Sequence, residues 1–295
     1  MPRFAARTTG LLLLAVTSLG WGLNWPAMKV LLRDWPPLFA RGVSGLCAAV
    51  ILALLALRAG QRLALPEKAF PLVARAALFN VFAWMGLSTL AMRWLGAGQG
   101  ALLVYTMPAW ATLFEWPLRG KRPRLATVAG LLLCFCGVGL LFLGSGAGAG
   151  IQASQLPGVL FALGAAVLFA FGTVVATPVP VPPLVSVAWQ LVVGCLPMLL
   201  LGLLLEHPHP SALTSHGLAV MVYMTLVPMG LCYLSWFAAL RRLPPALASI
   251  AMLMTPVVGV VAAAVSLGEP LGLRELAAMA LTLAGVAVAL RTSRS

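Results

Sequence analysis

The chain has 295 residues, of which 62% are hydrophobic and 8% charged, with a formal charge of +13 and a mean hydropathy of +1.03. Soluble domains carry about 25% charged and about 45–50% apolar residues. A soluble enzyme, a secreted disulfide scaffold, a disordered tail and a nucleic-acid-binding module are therefore excluded. A spanning helix takes about 20 mostly apolar residues, so this length has room for roughly ten.

Hydrophobic runs bounded by turn signals predict ten spans, at about 10–30, 37–57, 70–92, 97–117, 125–143, 156–177, 184–205, 217–239, 245–267 and 272–290. Runs such as Leu11 to Leu14 and Leu131 to Leu133 do not alternate as barrel strands would. The chain reads as an all-α membrane protein of ten transmembrane helices. Arg3 and Arg7 ahead of a leucine run resemble a signal peptide. The run continues past Trp21 and Trp25 to Val30 without a clean cleavage site, so it is read as the first span.

Polar groups inside a bilayer are costly, so each needs a reason. In span 1, Trp21, Asn24 and Trp25 share a face at i, i+3, i+4, and Pro26 removes a backbone donor, freeing a carbonyl near Gly22. Lys29 at the outer end reads as a headgroup anchor. So does Arg41 in span 2, about five residues from its outer end, with pairing to Asp34 or to a substrate carboxylate as the other roles. Span 3 aligns Asn80, Trp84 and Ser88; span 4 aligns Tyr105, Pro108 and Thr112, with Met107 beside them. Glu115, the only acid within a span, lies four residues before Arg119 in the favourable helical order. Span 8 offers Tyr233 and Trp236, and span 9 carries Ser249, Met252 and Pro256. Cysteines 47, 134, 136, 195 and 232 are scattered over four spans and indicate no disulfide or metal site. The three histidines share one loop, so no metal and no cofactor is expected.

The charge sorts by side. One side receives Arg3, Arg7, Arg58, Arg62, Lys68, Arg75, Arg119, Lys121, Arg122, Arg124, Arg241, Arg242, Arg291 and Arg294, which is 14 of the 19 basic residues. The positive-inside rule puts that side, with both termini, in the cytoplasm. The charge is topogenic, with anionic lipid a secondary partner and nucleic acid none.

Shifting the sequence by 148 residues superimposes its halves. Trp21 falls on Phe169, Trp25 on Thr173, Arg93 on Arg241, Pro108 on Pro256 and Gly120-Lys121 on Gly268-Glu269. The chain thus divides into 1–147 and 148–295, each with five spans, and an odd number forces opposite orientations. Inverted repeats with symmetric helix interruptions mark secondary transporters whose site lies near the midplane. By this logic Phe169 and Thr173 face a central cavity from the second half, and Pro26, Pro108 and Pro256 are hinges.

Trp21-Gly22-Leu23-Asn24 with Lys29, then Arg41, Pro108, Thr255-Pro256, Leu267-Gly268-Glu269-Pro270 and Gly285-Val286, resemble the EamA family of the drug/metabolite transporter superfamily over essentially the whole chain. The resemblance implies export of small solutes across a bacterial inner membrane, with spans 1, 3, 4, 6, 8 and 9 lining a cavity and spans 5 and 10 outside. One departure is Lys121, which stands where the family's first Gly-Glu has its glutamate. With one span acid, facilitated diffusion or exchange fits better than proton antiport. A cavity rich in aromatic and uncharged polar groups suits a neutral or zwitterionic solute bound by a monomeric exporter, and the amino-acid exporter branch is the first expectation. Drug or nucleobase efflux by the same fold, and a non-transporting membrane scaffold, are the alternatives.

Overall fold

The computed structural model describes residues 2–120, 122–142, 153–244, 247–248 and 251–292, without the side chains of residues 2–6 and 290–292. Lys121, Ser249 and the boundary between residues 147 and 148 lie outside the described residues. Among the described residues the chain forms ten helical spans and no strand. They are α1 (Pro2–Leu31), α2 (Pro37–Arg58), α3 (Glu67–Ala91), α4 (Ala97–Val104 and Met107–Arg119), α5 (Leu125–Leu141) and α6 (Leu156–Val174), followed by α7 (Pro183–Leu205), α8 (Ser215–Leu240), α9 (Met254–Leu267) and α10 (Leu273–Thr292). Six of them, α1, α2, α3, α6, α7 and α8, are individually long and apolar enough to cross a bilayer.

Proline explains why spans 4 and 9 are interrupted. Pro108 has no N–H to bond the carbonyl of residue 104, and its ring crowds that carbonyl. The helix accordingly breaks at Tyr105 and Thr106. Pro256 does the same in the second half, where a turn at Met252 and Leu253 precedes α9. Pro26 behaves differently: α1 runs through it unbroken, and the Gly22 carbonyl lies against Gly259 of α9. Both α4 and α9 end on a left-handed glycine, Gly120 (φ 67°) and Gly268 (φ 69°), a conformation that a Cβ would oppose. The helices α3 and α8 widen to π geometry over Leu78–Gly86 and Val227–Leu231, positions equivalent under the 148-residue shift.

The halves interlock. The first helix of each repeat packs into the other repeat: α1 lies against α8 and α9, and α6 lies against α3 and α4. The antiparallel pair α2 and α7 joins the two groups, and α5 with α10 forms a second antiparallel pair at the side of α4. Small residues let α5 and α10 touch backbone to backbone. A Cβ added at Gly285 would lie 2.3 Å from the Cys134 nitrogen, and one at Gly130 would lie 2.8 Å from the Gly285 carbonyl oxygen. This is how helices associate where lipid removes the hydrophobic driving force.

The two ends of the bundle differ in charge. At the end opposite the termini, here the far end, four carboxylates sit on helix N-termini. Glu206 accepts from the Leu38 and Phe39 amides (3.2 and 3.0 Å), and Glu269 from those of Ala97 and Gly98 (2.5 and 2.9 Å). Asp34 accepts from the Thr214 amide and hydroxyl (3.0 and 2.7 Å), and Thr214 in turn caps α8 by accepting from the Gly217 amide. Glu275 accepts from the Gly272 amide at 2.9 Å. At the basic end, arginines meet C-terminal carbonyls: Arg119 donates to Val174 (2.5 Å) and Arg242 to Ala238 (2.8 Å). The sorted charges therefore also complement the helix dipoles.

Candidate functional site

The seam between the interlocked groups collects most of the residues that the sequence singles out. On the α1–α8 side, the Trp21 indole N–H donates to the Pro228 carbonyl at 2.7 Å, within the π stretch of α8. Its ring meets Tyr233 edge-on at 5.5 Å and Trp236 at 6.1 Å. The pseudo-equivalent contact of α6 with α3 places Phe169 5.8 Å from Trp84, again in a π stretch. Between these two clusters Trp25 lies 6.3 Å from Tyr105, whose hydroxyl faces the Thr255 and Trp25 side chains. Trp25 is 3% exposed and Tyr105 8%, so this part of the seam is closed in the present conformation.

Several polar atoms in this region are buried without a hydrogen-bond partner among the described residues: the side-chain oxygen of Asn24, Nε and Nη1 of Arg41 and the indole nitrogen of Trp84. They come from α1, α2 and α3. Arg41 is 2% exposed. This differs from both anchoring roles read from the sequence. Arg41 does not snorkel, because α2 packs along α7 so closely that Gly42 meets the Leu199 backbone. Asp34 is not its partner either, since that carboxylate is spent on Thr214. Lys29 likewise does not reach for headgroups; its ammonium donates to the carbonyls of Met92 and Leu95 at 2.5 and 2.7 Å.

The remaining candidates are more peripheral. Asn80 is half-buried in the α3 π stretch, and Met107 packs beside the cluster that contains Trp25 and Tyr105. Thr173 is exposed and returns its hydroxyl to the Phe169 carbonyl of its own helix at 2.9 Å. Pro256 is buried and Pro108 half-buried, with the Pro108 carbonyl accepting from the Thr112 hydroxyl at 3.0 Å. Glu115 lies 3.8 Å from Arg119, as the helical spacing predicts. Thr255 joins the site without having been singled out for it; its signal is a hydroxyl just before the symmetric Pro256. A cleft of about 660 Å³ opens at the far end, lined by Lys29, Arg33, Asp34, Trp35, Arg93 and Glu269 among others.

Chemically, the orphaned atoms are several donors and one amide oxygen beside aromatic faces. Such a set can hold a small solute that carries an acceptor group at one end and a cationic or donor group at the other.

Comparison with known proteins agrees with this architecture. The model of the EamA-like transporter family matches the chain twice, at residues 8–143 and 156–291. An uncharacterized transporter of Bacillus subtilis, YvbV, is 31% identical over 282 residues, covering 95% of this chain and 91% of its own. A protein of Salmonella typhimurium named as a probable amino-acid metabolite efflux pump is 31% identical over 297 residues, covering 95% of this chain and 94% of its own. A solved crystal structure with 21% identity superimposes with a TM-score of 0.69 over 98% of both chains, a likeness of fold. The chain belongs to the EamA-like transporter family of the drug/metabolite transporter superfamily and is a multi-pass membrane transporter.

Proposed function

We propose that this transporter exports small zwitterionic metabolites, amino acids first among them, across the bacterial inner membrane by alternating access at the central seam. The observation that carries this reading is the buried Arg41, whose Nε and Nη1 have no hydrogen-bond partner among the described residues. An arginine within a membrane helix costs up to about 2.5–3.5 kcal/mol on insertion scales, the value for the helix centre and an upper bound for Arg41 nearer the end of α2. A carboxylate arriving from the substrate offsets that cost and forms charge-assisted hydrogen bonds. The Asn24 amide oxygen and the ring faces of Trp21 and Tyr233 then suit the ammonium end. The name of the Salmonella relative supports the same solute class. The basic end, where the arginines gather, faces the cytoplasm by the positive-inside rule.

Uniport or exchange follows from the shortage of acids: Glu67 and Glu275 sit in the first turns of α3 and α10, and Glu115 lies near the basic end of α4 beside Arg119. The test is flux in proteoliposomes against a panel of labelled amino acids, nucleobases and cationic drugs. Amino-acid flux without a pH gradient is expected. Flux of the drugs alone would overturn the solute assignment, and uphill movement driven by a proton gradient alone would overturn the coupling.

A further inference from the structure

The far end of the seam is fastened by two side chains that cross between the interlocked groups. Lys29 belongs to α1 and Glu269 to the turn after α9, both on one side of the seam; α3 and α4 lie on the other. Lys29 donates to the last carbonyls of α3 and its turn, those of Met92 and Leu95. Glu269 accepts from the first amides of α4, those of Ala97 and Gly98. One turn of chain, residues 92–98, is thus gripped by a cation on its carbonyl side and an anion on its amide side. Each grip matches the charge of the helix end it meets. The left-handed Gly268 and the neighbouring Pro270 hold Glu269 over the α4 terminus.

The 148-residue pseudo-symmetry says what the corresponding arrangement at the basic end would need. A cation at position 177 would grip the turn between α8 and α9, and an anion at position 121 would grip the start of span 9. The chain has Thr177 and Lys121 there. A threonine hydroxyl is too short to reach as lysine does, and an ammonium cannot accept from backbone amides. Thr177 instead accepts from Arg75 of α3 at 2.7 Å, and Arg119 of α4 donates to the Val174 carbonyl of α6. Both of those bonds stay within the group formed by α3, α4 and α6.

We infer that Lys29 and Glu269 are a one-sided latch: they hold the far end of the seam shut in the empty transporter and leave the basic end free to open. An exporter so built waits with its site accessible to the cytoplasm. The inference rests on the alternating-access reading, and the orientation follows the positive-inside assignment. The grip also explains the charged floor of the far-end cleft, because Lys29 and Glu269 are among its lining residues.

The test reads accessibility and needs no substrate. Ala101 is fully buried on α4, faces Gly259 of α9 and lies one helical turn inside the latch. A single cysteine placed there, Ala101→Cys in a full-length chain whose five natural cysteines are replaced, reports opening of the far end to a membrane-impermeant maleimide added from outside. With the latch intact this cysteine is protected. Lys29→Met and Glu269→Gln, alone and together, raise the labelling rate by about tenfold or more, as expected from losing charge-assisted hydrogen bonds. Glu275→Gln, which weakens a cap on Gly272 and an ion pair with Arg274 at the start of its own helix, leaves labelling unchanged. Continued protection in every latch variant overturns the inference, as does equal exposure in Glu275→Gln. If the double variant does not fold, the single Lys29→Met variant decides alone. A chain that carries no amino acid yet opens on latch removal separates this inference from the solute assignment.

Discussion

The α5–α10 pair and the central seam are both helix contacts inside one bundle, yet they are built on opposite principles. In the pair, Gly130, Gly137 and Gly285 bring two backbones into direct contact, and Cys134, Val286 and Ala289 are buried in the join. The seam is made of large rings and of polar atoms that have nothing to bond. Packing that could have been made dry and complete was made so at the side of α4, while the centre kept costly unpaired donors. In the proposed reading, that unmet hydrogen-bonding capacity is what a bound solute completes.

The largest effect that tests this contrast comes from the pair. Gly285→Leu drives a side chain into the Cys134 backbone, and no folded, monodisperse protein is expected on detergent extraction. Normal recovery would show that the pair is not close-packed. Arg41→Met comes next and separates stability from function. It removes a buried unpaired charge, so the variant should match or exceed the parent in thermal stability, by up to about 2.5 kcal/mol, while amino-acid flux is lost. A destabilised variant would mean that Arg41 is a structural strut.

A smaller effect sharpens the comparison at its exception. Among the described residues, the Thr282 hydroxyl is the one atom of the α5–α10 pair that is buried without a partner. Thr282→Val should leave flux intact and change stability by no more than about 1 kcal/mol; lost flux would move the site outward. The smallest effect concerns Asp34, whose carboxyl is held below the usual range by the Thr214 hydroxyl and amide. Its contribution to stability is present above the ordinary aspartate value and is lost as pH falls below about 4 through the lowered one. Asp34→Asn should flatten that acid limb slightly in a melting series, and an unchanged limb would assign it to other carboxylates.

Much of the fold was legible because hydropathy and the 148-residue register act along the chain. Ten spans and the symmetric interruptions at Pro108 and Pro256 follow from spacing alone, whereas the meeting of Trp21 with Tyr233 and Trp236 is set by the packing of α1 on α8. Lys29 and Arg41 were misread for a physical reason. Both lie near helix ends, where snorkelling is the default, and their surroundings are set by distant segments. The turn that Lys29 grips is 63 residues away, and Arg41 is sealed in by the glycine-mediated approach of α7. The π stretch of α3 left no mark, since it contains no proline, whereas its counterpart in α8 contains Pro228.

The interlocking of the halves also fixes an order of assembly. The partners of α1 are made late: Trp21 bonds a carbonyl 207 residues downstream, the Gly20 carbonyl accepts from Tyr223 203 residues away, and Thr17 reaches one 215 residues away. During synthesis α1 therefore enters the lipid long before α8 and α9 exist, with only its contacts to α3 and α4 available in the first half. Such long-range closure is slow, and each half is expected to depend on the other for folding. Residues 1–147 and 148–295 produced as separate chains in one cell should each need the other to escape degradation, and together they should rebuild the whole bundle.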